Sequence, residues 1–196
     1  MLKIGLTGGI GVGKTTVAKI FESYGIPVFY SDLESKALLL DTQMKTVVTS
    51  IFGLKSYTSQ GLNRSYIAQQ LFNDHSKRSA LEQVVYPKVR SRFELWAQAQ
   101  NTPYVINESA LIFEKELQTY FDKIILVKAP VDLRIQRVID RDQCTEKEVK
   151  ARMALQSDSI QTEKLSDFVI NNDEFSNLNQ MCLDIHLNLT KNINNS

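Results

Sequence analysis

Eight residues near the start of the chain have the types and spacing for phosphate chemistry: Gly8, Gly9, Ile10, Gly11, Val12, Gly13, Lys14 and Thr15. They fit the pattern Gly, any four, Gly-Lys-Ser/Thr. Glycines let the backbone curl so that its N–H groups point inward, and a following helix N-terminus adds a positive partial charge. A lysine in this position reaches the β- and γ-phosphates of a nucleotide, and the Thr15 hydroxyl can ligate Mg²⁺. The context suits this chemistry. Residues 2–7 form a short, mostly apolar strand, and Val17, Ala18, Ile20, Phe21 and Tyr24 recur at helical spacing after the loop. The candidate nucleotide-binding set is therefore Gly9, Gly11, Val12, Gly13, Lys14, Thr15 and Thr16, with Thr15 as the metal ligand.

Two further groups can do chemistry. Asp32 follows a second short strand, 27–30, at the edge where open α/β sheets bind ligands. A carboxylate there can take or orient the proton of a hydroxyl that attacks phosphorus. It can equally be an acidic residue complementing a helix N-terminus beside Ser31. Arg134, Arg137 and Arg141 recur at i, i+3 and i+7, with Arg152 further on. Phosphoryl transfer needs positioned positive charge more than covalent help from the protein. Arg137 and Arg141 are accordingly read as the charges of a closing lid. The interleaved Asp140, Asp142, Glu146 and Glu148 also suit a solvated helix with i,i+4 pairs.

The elements that must position these residues follow from pattern. The first helix spans about 14–24 and stops at Gly25. Strands are expected at 2–7, 27–30, 103–108, 123–127 and 168–171, giving a parallel sheet. Residues 32–100 have a helical pattern and form an insertion, with Pro87 expected to kink or break its longest helix. The stretch 132–157 reads as two helices meeting near Gln143 and Cys144, the second opened by a Thr145/Glu148 capping box. A last helix is expected over 174–189, with residues 191–196 fraying. The two histidines, His75 and His186, are read as structural.

With 196 residues, 43% hydrophobic and 23% charged, the chain has the composition of an ordinary globular protein. A net charge of +1 argues against a nucleic-acid partner held by bulk charge. No apolar run approaches a membrane span, and no secretory leader is visible, so a cytoplasmic setting is expected. Cys144 and Cys182 lack metal-ligand spacing and are expected to be reduced. Residues 32–100 hold nine Lys/Arg against six Asp/Glu, a mild positive excess suited to a phosphorylated acceptor. The loop alone does not separate a kinase from a GTPase or a motor. The guanine-reading Asn-Lys-x-Asp signature is absent, and the helical insertion and arginine-rich segment sit where small-molecule kinases place an acceptor pocket and a lid.

Nearly the whole chain resembles the dephospho-CoA kinase family. The similarity is carried by Leu6-Thr7-Gly8-Gly9-Ile10-Gly11-Val12-Gly13-Lys14-Thr15-Thr16, Gly25-Ile26-Pro27-Val28 with Asp32, and Leu62-Asn63-Arg64 with Leu71-Phe72. Further on it includes the segment from Glu108 to Glu114, Arg137 with Arg141-Asp142, Ala154-Leu155-Gln156, and Asp167-Phe168-Val169-Ile170-Asn171-Asn172. The resemblance implies a three-layer α/β P-loop kinase fold: a five-stranded parallel sheet with a helical insertion and a helical lid. Its core would be 1–31 and 101–196, its acceptor-binding insertion 32–100 and its lid 132–157. It also implies ATP as phosphoryl donor, Mg²⁺, dephospho-CoA as acceptor, and phosphorylation of the acceptor's ribose 3′-hydroxyl in the last step of coenzyme A biosynthesis. Asp32 inherits the role of catalytic base, Lys14 and Thr15 the phosphate and Mg²⁺ contacts, and Arg137 and Arg141 the lid charges. The chain departs from the family at Tyr30, where many members have Asp, and at Tyr86-Pro87, where His-Pro is common. Two other readings stay open: a kinase of this fold for another small acceptor such as a nucleoside monophosphate, and a regulatory protein that binds ATP without transferring phosphate.

Overall fold

A computed structural model describes residues 1–154, 156, 159–174 and 176–194. The chain divides into two compact units, one made of residues 1–30 and 99–196 and the other of residues 31–98.

The first unit is an α/β structure. Its sheet uses β1 (Leu2–Thr7), β2 (Val28–Tyr30) and three strands that follow the second unit in sequence. The intervening elements are α1 (Lys14–Ser23), α2 (Ser31–Leu38), α3 (Thr42–Phe52), the two-residue strands β3 (Tyr57–Thr58) and β4 (Gly61–Leu62), α4 (Arg64–Asn73) and α5 (His75–Gln98). The chain then continues with β5 (Tyr104–Glu108), β6 (Lys123–Lys128), α6 (Val131–Asp142), α7 (Glu146–Met153), α8 (Ser159–Lys164), β7 (Phe168–Asn171) and α9 (Leu178–Asn194). The five-stranded sheet has the order β2-β5-β1-β6-β7, and every pairing is parallel. Buried parallel strands carry near-continuous apolar runs, and all five residues of β5 are buried. Ile4 and Leu6 of β1 are fully buried with Val17 and Phe21 of α1, Ile106, Ile125, Ile170, and Cys182 and Leu189 of α9. Gly5 has no side chain because a Cβ there would sit 2.8 Å from Ile112 Cδ1.

Because the strands are parallel, Thr7, Tyr30, Glu108, Lys128 and Asn171 all end at one edge. The helix at that edge is sharply delimited. Gly25 at φ 79° takes the left-handed position after α1, its N–H donating to Glu22 O (2.9 Å) and that of Ile26 to Phe21 O (3.2 Å). This pair of bonds is a Schellman stop.

The second unit is helical apart from the β3–β4 hairpin, in which Tyr57 pairs with Leu62 and Thr58 with Gly61. Leu81, Val85, Val89, Phe93 and Ala97 recur every four residues along α5 and are buried. Helices α2, α3 and α4 pack against α5. Asp41 caps α3 by accepting from Gln43 N (3.0 Å), and Asn63 caps α4 by accepting from Tyr66 N (3.3 Å). Arg92 joins three segments by pairing with Glu34 (3.3 Å) and Asp41 (3.2 Å). Of the kink or break expected at Pro87, the break does not occur: α5 runs on through it. Pro87 and Gln83, whose carbonyl loses its i+4 donor, are both exposed, so water can satisfy that group while the buried stripe holds the helix.

Two more expectations shift. The last helix starts at Leu178, because Asn177 Oδ1 accepts from Gln180 N (3.1 Å), and it continues to Asn194 rather than fraying from 191. Asn195 and Ser196 lie outside the described residues, as do Leu155 and Ser157 of the expected lid. Among the described residues, no helix is long and apolar enough to cross a membrane.

Candidate active site

The loop from 8 to 15 leaves the buried end of β1 and enters α1. Gly8 and Gly11 have φ of 145° and 79°, and Gly13, the residue capping α1, has φ of 90°. These are left-handed values that favour glycine. Space excludes a side chain as well: a Cβ on Gly8 would run into Val127 O, and one on Gly13 into Asn172 Nδ2. Val12 is buried and anchors the loop. Gly13 brings no side-chain acceptor to the helix start. The first-turn amides that α1 cannot pair within itself are therefore not capped by that residue, which suits them to an anion. Lys14 Nζ donates back to Gly8 O (2.8 Å) and Gly9 O (3.3 Å), so its charge stays over the loop. Thr15 and Thr16 are exposed on the first turn of α1.

Residues distant in sequence hold this loop. Asn172, just past β7, is buried and donates from Nδ2 to Val12 O (2.8 Å), while its own N–H donates to Lys128 O (2.7 Å). Arg137 of α6 donates to Asn172 O (3.3 Å) and, at 3.5 Å, to Gly11 O and Val12 O. One turn earlier, Arg134 donates from Nε to Ile10 O (2.9 Å) and from Nη2 to Gln156 Oε1 (3.3 Å). Gln156 Oε1 also accepts from Ile10 N (2.9 Å). Partial burial pushes the Arg134 guanidinium below its ordinary pKa, although it stays far from neutral. Beside the loop lies a cleft with about 800 Å³ of empty space, open solvent included, walled by Gly8, Gly9, Phe113, Glu114, Lys128 and Arg134.

Of the expected arginines, Arg137 thus lies against the loop. Arg141 makes a two-pronged contact with Asp142 (2.7 and 3.1 Å), and Arg152 joins the same carboxylate (2.9 Å). These bonds, Arg141's first, hold the Asp142 carboxyl below its ordinary range. The two expected helices are present as α6 and α7, and the Thr145/Glu148 capping box forms, with Thr145 N donating to Glu148 Oε2 at 2.8 Å. Ile135, Val138 and Val149 form a small core between them, and Ile10 of the loop packs against it.

Asp32 lies in the second unit, exposed in the first turn of α2 and two residues past the end of β2. In the same unit, burial pushes the Tyr86 phenol well above its usual pKa, with Glu82 and then Asp32 adding to the shift. Tyr86 is therefore a neutral hydrogen-bonding group in the physiological range. Tyr30, at the other position where the chain departs from the family pattern, donates to Glu22 Oε1 (3.1 Å), and burial with that bond raises its pKa to about 12.

Gln156 and Asn172 join this site although the sequence motifs do not mark them for it, and Arg134 has a role in it separate from the other arginines. Signals existed: Arg134 is at i−3 from Arg137, and Asn172 leaves a parallel strand at its C-terminal edge. As for a metal, no group of three or more His, Cys, Asp or Glu side chains could hold an ion among the described residues. Mg²⁺ commonly takes one or two protein ligands and completes its shell with phosphate and water oxygens. The exposed Thr15 hydroxyl beside the loop fits that mode.

A glycine loop feeding a helix at the edge of a parallel sheet, covered by an arginine-bearing helix pair, defines a P-loop kinase of the small-molecule type. The model of the family described as dephospho-CoA kinase matches residues 2–177. The dephospho-CoA kinase of Legionella pneumophila (strain Paris) is 34% identical over 186 residues, covering 93% of this chain and 92% of that one. That of Salinibacter ruber is 35% identical over 178 residues, covering 88% and 89%. A solved structure from Thermus thermophilus superposes with a TM-score of 0.84 at 29% identity, covering 97% of each chain. The chain belongs to the dephospho-CoA kinase family.

Proposed function

We propose that the protein transfers the γ-phosphoryl group of ATP to the 3′-hydroxyl of the ribose of dephospho-CoA, giving coenzyme A and ADP in the final step of coenzyme A biosynthesis. The observation that carries this reading is the loop geometry, a capless helix start with Lys14 and Arg137 around it, in a chain that belongs to this family. In the reaction one P–O bond to ADP breaks and one to O3′ forms, and the hydroxyl proton leaves. Asp32, as an exposed carboxylate, accepts that proton.

The loop amides and the N-terminus of α1 bind the phosphate chain, with Gly9, Gly11, Val12 and Gly13 shaping the backbone and Thr16 following on the first turn. Lys14 exchanges its carbonyl partners for the β- and γ-phosphate oxygens. Arg137 adds positive charge where the loop turns. Thr15 would hold Mg²⁺, which supplies charge neutralisation to the phosphate oxygens when bound. Arg141 contributes as a lid charge by exchanging Asp142 for phosphate as residues 132–157 close. Residues 1–31 and 101–196 act as the nucleotide-binding core, and the helical insertion 32–100 receives the acceptor. Tyr86, held neutral, serves that side as a hydrogen-bonding group but not as a cation.

The test is product identification. Incubated with ATP, Mg²⁺ and dephospho-CoA, the protein should yield one new phosphomonoester, coupled in two-dimensional phosphorus–proton NMR to the ribose H3′. ATP consumption without that cross-peak overturns the assignment.

A further inference from the structure

We infer that Arg134 and Gln156 are positioning residues that clamp the backbone of Ile10 from both sides and so set the shape of the phosphate loop for nucleotide binding. The inference rests on the reading that this loop holds the phosphates of ATP. Both main-chain polar groups of Ile10 are taken by distant side chains: its C=O accepts from Arg134 Nε at 2.9 Å and its N–H donates to Gln156 Oε1 at 2.9 Å. A third bond, Arg134 Nη2 to Gln156 Oε1 at 3.3 Å, closes the ring. The loop's own backbone gives this region little support. Gly8 and Gly11 flank it in left-handed conformations, and the turn bond from Val12 N to Gly9 O is long at 3.5 Å.

The fit is close. A Cβ on Gly9 would collide with the Arg134 guanidinium and lie 2.8 Å from Gln156 Oε1, so the absence of a side chain at Gly9 is what lets the clamp reach the peptide. The Ile10 side chain meanwhile packs against Ile135, Val138 and Val149. The apex of the loop is thus seated on α6, α7 and the segment that follows α7 by one apolar contact and two hydrogen bonds to its backbone. The chemistry of the pair suits a polyphosphate neighbour. Gln156 accepts without bringing negative charge, and the Arg134 bonds run to neutral oxygens, leaving its positive charge uncancelled by them.

The experiment compares ATP dissociation constants of the full chain with those of Arg134→Met, Gln156→Leu, the double variant and Arg134→Gln, by titration calorimetry. The KM for dephospho-CoA and the Tm are measured in parallel. Each of the first two changes should weaken ATP binding by roughly tenfold, the cost of losing a hydrogen bond of this kind. The double variant should be no more than about threefold weaker than the worse single one, because both bonds hold the same residue and share Gln156 Oε1. Arg134→Gln, whose amide can still donate to Ile10 O, should lose less than Arg134→Met, with the dephospho-CoA KM unmoved throughout. Unchanged ATP affinity in both single variants, losses that multiply in the double variant, or equal loss in Arg134→Gln and Arg134→Met overturns the clamp. A wild-type protein that binds no ATP overturns the nucleotide reading instead, so the two failures are distinct.

Discussion

Asp32 has two physical uses, and a single substitution separates them. As the base, its carboxylate takes the acceptor proton; as the acidic residue of the first turn of α2, it complements a helix N-terminus. Asp32→Asn keeps size and removes charge. On the first use, kcat falls by about 10² or more with ATP affinity kept, whereas Lys14→Met loses both. An unchanged kcat with a lowered Tm would assign Asp32 to the helix alone. His186 offers a second residue-scale prediction, about stability. The Tyr104 hydroxyl and His186 Nδ1 share a hydrogen bond of 2.7 Å, and burial lowers the pKa of His186 below 6.5. The unfolded chain then binds more protons than the native one as pH drops below about 6.5, so stability falls in that window and is regained as pH rises through it. Thermal melts between pH 7.5 and 5 should show this slope, and His186→Gln should flatten it; an equal slope in both proteins contradicts the assignment.

At the scale of elements, local chemistry was legible where it was self-contained. The loop pattern, the Gly25 stop and the Thr145/Glu148 box each depend on residues within seven positions of one another, and each is present. The five strands were legible because buried parallel strands leave apolar runs. That the helix continues through Pro87 was not legible, because propensity argues against it while a buried stripe of five residues outweighs one lost hydrogen bond on an exposed face. Asn172 and Gln156 were illegible as loop supports because their partners lie 160 and 146 residues away in sequence. The capping box carries its own prediction. Thr145→Ala removes the acceptor for Glu148 N and should destabilise α7 by about 1 kcal/mol. Hydrogen exchange in 146–153 should speed up while exchange in β1 and β5 does not; uniform acceleration would show that α7 melts only with the whole unit.

For the whole molecule, the sheet edge gathers the groups proposed to hold the nucleotide in the first unit, since Thr7, Lys128 and Asn171 all end there and lead into the loop, α6 and Asn172. Acceptor choice is a property of the second unit in this account, and family membership supplies the acceptor's name. Specificity of this kind is a difference in transition-state stabilisation between competing acceptors, best read as a ratio of kcat/KM values. The most direct measurement is therefore an acceptor panel under one set of conditions: ATP and Mg²⁺ with dephospho-CoA, with nucleoside monophosphates and with shikimate, ADP release followed by a coupled assay. The kcat/KM for dephospho-CoA is expected to lie at least about a hundredfold above that for every other acceptor. Turnover of dephospho-CoA no faster than that of a nucleoside monophosphate or shikimate would contradict it.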